Sequence, residues 1–173
     1  MVESGQKIVI FTLINTFSMI TFIGEYTCKL DTKGRVILPS AFKKQMTGNN
    51  QERFVIKKDI FEKCLVLFPF DEWERQNRIL RKKINPYKKE HNKFLRQFFK
   101  GMAEVVLDSN NRLLIPKRLL DEVEVEKEVI MAGQYGKIEI WAKNLYEKIE
   151  VGDDEFAGMA ENIMEGLVDE TDE

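Results

Sequence analysis

The sequence predicts an α+β fold: two pseudo-symmetric β units that pack on each other, joined by a helical hairpin. Three observations carry this. Gly24-Glu25-Tyr26-Thr27-Cys28-Lys29-Leu30-Asp31-Thr32-Lys33-Gly34-Arg35-Val36-Ile37-Leu38-Pro39 recurs as Gly101-Met102-Ala103-Glu104-Val105-Val106-Leu107-Asp108-Ser109-Asn110-Asn111-Arg112-Leu113-Leu114-Ile115-Pro116, with Gly, Leu, Asp, Arg and Pro in register. A second block follows each copy: Val55-Ile56 aligns with Val129-Ile130, Leu65-Val66-Leu67-Phe68 with Ile138-Glu139-Ile140-Trp141, and Trp73 with Tyr146. Between the copies, apolar residues switch to helical spacing. Two copies are too few for a solenoid, in which each repeat leans on its neighbours. A unit of about 45 residues is also near the lower limit for folding alone. Each copy therefore needs the other to bury its inner face.

In chain order, residues 26–30 and 36–38 are short β-prone runs flanking Asp31-Thr32-Lys33-Gly34. Aspartate opens a turn by accepting hydrogen bonds from the following backbone, and glycine supplies positive φ. The pattern predicts a hairpin with a type I turn and a glycine bulge. Asn111 stands where the first copy has Gly34, and asparagine is the next residue most at home in the left-handed region. Asp31, Gly34, Asp108 and Asn111 thus read as turn residues. Arg35 and Arg112 read either as solvated strand residues or as groups beside a tip, placed to reach a phosphate or a base edge. Pro39 and Pro116 close the strands and open short helices of about two turns over 40–46 and 117–123, because proline is tolerated in the first turn. Two more strands complete each unit, turning over at Lys58-Asp59 and at Gly133-Gln134-Tyr135-Gly136.

Trp73, Ile79, Leu80 and Ile84 form a helical stripe that Asp71-Glu72 favour at its start and Asn85-Pro86 end. Residues 87–99 make a second helix with Phe94, Leu95, Phe98 and Phe99 on its buried side. The resulting domain scheme is 1–18 as a leader or extension, 19–70 as the first unit and 71–100 as the helical linker. The second unit covers 101–150, and 151–173 form an acidic tail. The apolar run over 8–14 is too short to span a bilayer, and residues 1–18 read as a translated leader before a start at Met19. The tail is expected to be mobile, with an amphipathic stretch through Phe156, Met159, Ile163 and Leu167.

The 173-residue chain is 43% hydrophobic and 32% charged, the balance of an ordinary globular protein. With a single histidine, His91, a His-dependent zinc site or triad is nearly excluded. Cys28 and Cys64 fall in predicted strands without metal spacing, so buried free thiols in a reducing compartment are expected. The net charge of −2 hides an asymmetry. Residues 151–173 hold nine acidic and no basic residues; residues 19–70 carry +4, residues 71–100 carry +6, and residues 101–150 carry −3. The first unit and the linker are the better phosphate partners.

With Asp-x-x-x-Arg present twice, Gly34-Arg35 leading to Pro39, and the flanking strands in place, the chain resembles the MraZ family from Met19 to about Glu150. The resemblance implies two AbrB-like swapped-hairpin units packed into one small barrel. It also implies binding to double-stranded DNA upstream of the division and cell-wall gene cluster, at short direct repeats. A ring-like homo-oligomer that presents several tips together is implied as well. The residues carried over are Asp31, Lys33, Arg35, Asp108 and Arg112. Asn110-Asn111 in place of Lys-Gly removes a cation from the second tip.

The leading functional expectation is a sequence-specific DNA-binding transcriptional regulator, cytoplasmic and nucleoid-associated. Arg35 would read a base edge, with guanine the favoured bidentate partner. Lys29, Lys33, Lys43 and Lys44 would hold phosphates, and Arg112 would serve at the second tip. One tip reads few base pairs, so several tips at fixed spacing are needed. The alternative is a non-catalytic interaction module, antitoxin-like or scaffolding, that uses the tail and helical hairpin on a protein partner. Asp31 and Asp108 as paired carboxylates have no nucleophile–base constellation or phosphate loop beside them. No catalytic residue, metal, cofactor, membrane contact or small-molecule substrate is expected.

Overall fold

The computed structural model describes residues 20–46 and 52–165. The expected leader over 1–18 lies outside the described residues. The chain divides after Lys143 into a larger unit and a smaller carboxy-terminal one. The larger unit contains strands β1 (Glu25–Lys29), β2 (Arg35–Ile37), β3 (Arg53–Lys58), β4 (Leu65–Pro69), β5 (Ala103–Val106), β6 (Arg112–Leu114), β7 (Glu128–Gln134) and β8 (Lys137–Ala142). Helices α1 (Ser40–Gln45), α2 (Phe70–Lys83), α3 (Lys89–Phe99) and α4 (Lys117–Glu122) lie among them. Helix α5 (Lys143–Tyr146) crosses the division, and α6 (Asp153–Met164) follows.

Six strands form one antiparallel sheet in the order β1-β7-β8-β4-β3-β5, while β2 and β6 form a separate two-stranded ribbon. The two halves are interleaved. β1 of the first half pairs with β7 of the second, β5 of the second pairs with β3 of the first, and β2 pairs with β6. A pseudo-twofold axis is visible in the register: Val36 lies opposite its own repeat equivalent Leu113, and Val66 opposite its equivalent Glu139. Neither copy can satisfy its backbone alone, which is why the repeat occurs as a pair.

Three sequence expectations change here. Among the described residues the strands do not close into a barrel; β1 and β5 are the two edges of an open sheet. The first hairpin is likewise not a continuous ladder. Only one bridge, Leu30 to Val36, joins its arms. Beyond that bridge, β2 directs its hydrogen bonds to β6, so the ladder is interrupted rather than carried around. The third change is a register slip. Phe54 and Ile56 are fully buried on β3, and Val129 and Met131 on β7. Phe54 pairs with Pro69 as Val129 pairs with Ala142. The equivalence is therefore Phe54-Val55-Ile56 with Val129-Ile130-Met131, one residue away from the alignment by residue type. A one-residue slip exchanges the two faces of a strand, and only burial reveals the difference between two apolar runs.

The core lies on the sheet face carrying Phe54, Ile56, Leu65, Leu67, Val129, Met131, Ile138 and Ile140, all fully buried. Val36 and Leu113 of the ribbon, with Phe42 of α1 and Leu119 of α4, are buried as well. On the other face α2 packs on β3 and β4, where Trp73 meets Phe68, Phe98 and Phe99. The predicted linker stripe is only partly inside: Trp73 is buried, whereas Ile79, Phe94 and Phe99 remain exposed. α3 has no fully buried residue. The β3–β4 connection is longer than expected and runs over residues 59–64, with the Asp59 N–H bonded to the Cys64 carbonyl at 2.9 Å.

Cys64 stands just before β4, fully buried, and burial pushes its thiol up to about 12. Cys28 on β1 is only half-buried, and burial raises its pKa too. Both thiols therefore stay protonated and unreactive near neutrality. In the carboxy-terminal unit, residues expected to be mobile form α6. Asp153, Asp154 and Glu155 occupy its first turn, where the helix dipole favours negative charge. Leu167 of the expected stretch lies outside the described residues.

Candidate nucleic-acid interface

The two tips are built alike. Asp31 Oδ1 accepts the backbone N–H groups of Lys33 and Arg35, both at 2.9 Å, and Oδ2 accepts Arg35 Nε at 2.6 Å. Asp108 Oδ1 accepts the N–H groups of Asn110 at 2.8 Å and Arg112 at 2.9 Å, and Oδ2 accepts Arg112 Nε at 2.8 Å. One aspartate thus shapes the turn and orients the arginine. The turns close through Gly34 N–H to the Asp31 carbonyl and Asn111 N–H to the Asp108 carbonyl. Gly34 has φ +81° and Asn111 φ +59°.

The difference at that position has a local cause. A Cβ on Gly34 would lie 3.3 Å from the Ile115 carbonyl oxygen and 3.4 Å from Leu120 Cδ1. The counterpart of Leu120 in the first copy is Lys43, whose ammonium donates to Asn111 Oδ1. Each tip therefore rests on the short helix of the other half. The backbone repeats the exchange: Leu38 N–H bonds the Asn111 carbonyl, and Ile115 N–H the Gly34 carbonyl.

The carboxylates are held ionised. The Arg35 backbone N–H lowers the Asp31 pKa to about 2, helped by the Arg35 guanidinium and the Lys33 N–H. The Arg112 backbone N–H, with its side chain and the Asn110 N–H, lowers Asp108 in the same way. Both carboxylates are committed to their turns, which leaves neither as a general acid near neutrality. A depressed folded-state pKa contributes stability above the ordinary aspartate value and loses it as the pH falls through the folded value. The tips should accordingly keep their form down to about pH 4 and lose it toward pH 2. Carboxyl-detected NMR should place the Asp31 midpoint near 2; a midpoint at the ordinary aspartate value would show that the turn does not hold the carboxylate in solution.

The ribbon decides what the arginines face. Arg35 lies opposite Leu114, and Ile37 opposite Arg112. Strand alternation puts all four on one face. Val36 and Leu113, on the other, are fully buried, while Ile37 and Leu114 are 60% and 56% exposed. Arg35 and Arg112 are thus diagonal neighbours, about 7–8 Å apart between Cα atoms. In both guanidiniums Nε is taken by the aspartate, and neither arginine has a second ion-pair partner among the described residues. Lys29, Lys33 and Lys44 are exposed. Lys43 is half-buried, and its ammonium donates to Asn111 Oδ1.

Sequence reasoning missed Ile37 and Leu114. The signal was the matched pair of triplets Arg35-Val36-Ile37 and Arg112-Leu113-Leu114: alternation makes the middle residue inward and its neighbours outward together. Among the described residues, no three His, Cys, Asp or Glu side chains are grouped to hold a metal. No described helix is long and apolar enough to cross a membrane.

Comparison with known proteins bears on this duplicated site. A family model described as "MraZ protein, putative antitoxin-like" matches residues 21–97 and again 98–163. The chain belongs to the MraZ family. Each matched stretch contains one Asp-x-x-x-Arg tip, so the family's repeat coincides with the pseudo-twofold seen in the strand register. Similar proteins carry the name transcriptional regulator MraZ. That of Christiangramia forsetii is 43% identical over 150 residues, covering 84% of this chain and 94% of the relative. That of Flavobacterium psychrophilum is 40% identical over 155 residues, covering 88% and 97%. That of Bacteroides fragilis is 36% identical over 146 residues, covering 84% and 92%.

Proposed function

We propose that this MraZ-family chain is a sequence-specific DNA-binding transcriptional regulator that reads short direct repeats through its β2–β6 ribbon. The observation that carries the reading is the solvent face of that ribbon, where Arg35 and Arg112 stand diagonally with Ile37 and Leu114 between them. A two-stranded ribbon fits the major groove. There the arginines would address guanine edges, and the two aliphatic side chains would meet thymine methyl groups. Lys29, Lys33 and Lys44 would hold phosphates, which position the protein without reading sequence. The relatives' name, transcriptional regulator, supports the same reading.

In this proposal the target is DNA upstream of the division and cell-wall gene cluster, reached in the cytoplasm at the nucleoid. Residues 19–70 and 101–150 act as one paired unit, with 71–100 as its linker. One ribbon covers only a few base pairs. A homo-oligomer, ring-like in this reading, sets several ribbons in fixed spacing and raises affinity through effective concentration. Such an array suits direct repeats better than a palindrome.

The experiment is a footprint on DNA upstream of the chain's own gene, followed by mobility shifts on one repeat, two repeats, and two repeats parted by five extra base pairs. Five base pairs are about half a helical turn. Two repeats should bind much more tightly than one, and the insertion should remove most of that gain. Affinity should fall steeply with salt, as phosphate contacts require. Equal binding to one and two repeats would discard the multi-ribbon mechanism. Salt-independent binding, or none, would discard DNA and favour the protein-interaction reading.

A further inference from the structure

Lys57 is a lysine in an unusual place. It lies on β3 with only 7% of its surface exposed. Its ammonium sits 3.6 Å above the centroid of the Phe98 ring of α3. Among the described residues it forms no ion pair and no hydrogen bond. Among the described residues no buried side-chain nitrogen or oxygen lacks a partner, so the ammonium nitrogen itself keeps some open surface. Lys57 is one of the residues that line a cavity of about 980 Å³.

A buried charge is normally paired, because removal from water costs more than a lone contact returns. A cation over one aromatic face recovers part of that cost. The rest of the cavity suggests what supplies the remainder. Lys100 and Arg118 line it beside Lys57, and Phe61 and Phe94 join Phe98 as flat apolar wall. Phe61 and Phe94 are 89% and 42% exposed, which is unusual for phenylalanine. Arg118 is set close at the edge: a Cβ on Gly101 would lie 2.9 Å from its Nη1. Of the acidic residues on the lining, Asp59 uses Oδ2 to accept the N–H groups of Phe61 and Glu62, at 2.9 and 3.0 Å. Glu62 and Glu122 lie on the same lining, and among the described residues neither forms an ion pair with Lys57.

We propose that this cavity binds a small organic anion with a flat apolar body, its acidic group on Lys57 and its ring against Phe94 and Phe98. Arg118 and Lys100 add positive field at the mouth. Burial lowers the Lys57 pKa, while Asp59 opposes that shift and Lys137 adds to it; a bound anion would favour the ammonium. Carboxylic, sulfonic and phosphoric acids all suit the site, since an ammonium is a point charge that pairs with each. The site is independent of the DNA reading, because none of its residues lies on the ribbon face.

The test uses the full chain and two dyes. 8-Anilinonaphthalene-1-sulfonate is an aromatic anion, and N-phenyl-1-naphthylamine is its uncharged relative. The sulfonate should bind one per chain with increased fluorescence. Lys57→Met should weaken it about tenfold or more, the loss expected for a charged contact, and leave the neutral dye unchanged. Phe94→Ser, at an exposed position, should weaken both dyes. Urea midpoints of each variant at or near that of the parent chain establish that the fold is kept. Absence of saturable sulfonate binding overturns the proposal. So does equal sulfonate affinity in Lys57→Met, which would mark the dye as held by exposed apolar surface alone. Should Lys57→Met not fold, an unchanged sulfonate affinity in Phe94→Ser overturns the proposal by itself.

Discussion

Replacing Phe42 with alanine is expected to cost about 3–5 kcal/mol of stability, the range for a large aromatic removed from a packed core. Phe42 is fully buried. Its ring meets Phe22 edge-on at 5.5 Å and Tyr26 at 5.0 Å between centroids. It also anchors α1, and α1 carries Lys43, whose ammonium bonds Asn111 in the opposite tip. The loss should therefore reach the second tip as well as the core. Urea unfolding measures the first effect, and amide exchange at Asn111 and Arg112 the second. Lys44→Ala, two residues on and exposed, should stay within about 0.5 kcal/mol. A Phe42→Ala loss below about 1 kcal/mol would mean that the ring is not clamped between β1 and the preceding segment in solution.

Arg35→Ala is expected to weaken operator binding by about 1–3 kcal/mol for each engaged ribbon. Its ion pair with Asp31 is partly solvated, at 30% and 34% side-chain exposure. Such a solvated pair adds little to folding, so the melting temperature should hardly move while DNA binding falls. Arg35→Lys should recover part of the affinity, because it restores charge without the two-pronged donor geometry. Arg112→Ala should cost less than Arg35→Ala. Its tip has Asn110 where the first has Lys33, and residues 101–150 carry −3 against +4 over 19–70. Mobility shifts at a single salt concentration compare the three. Unchanged affinity in Arg35→Ala would remove it from the interface, and a reversed order would show that local charge does not rank the tips.

The fit between sequence and structure varies with the range of the interaction involved. The tips were readable because their chemistry is local. Asp31 and Asp108 act within four residues of themselves, and Gly34 and Asn111 answer to their own φ. The prolines before α1 and α4 act over one helical turn. The linker was readable as two helices from its 3.6-residue pattern, although its aromatic face is half open. The β3–β7 alignment failed by one residue because Phe54-Val55-Ile56 and Val129-Ile130-Met131 are uniformly apolar. Residue type cannot say which of two adjacent apolar side chains faces the core. Lys57 was invisible for a related reason: nothing in Ile56-Lys57-Lys58 distinguishes a lysine under Phe98 from its exposed neighbour.

The sequence by itself determined that the chain holds two equivalent β units and where each turn and short helix begins. It also determined membership of the MraZ family through motifs that are contiguous in the chain. The tertiary structure alone decided how the halves combine. β1 crosses to β7, β5 crosses to β3, and β2 joins β6, which replaces the expected barrel with an open sheet and a separate ribbon. That pairing turns two tips into one surface by setting Arg35 and Arg112 on a common face. The physical reason is that backbone hydrogen bonding is indifferent to sequence: any exposed strand edge can accept any other. The choice among edges is made by which pairing buries Val36, Leu113, Phe54 and Val129 together, a sum over contacts distant in the chain.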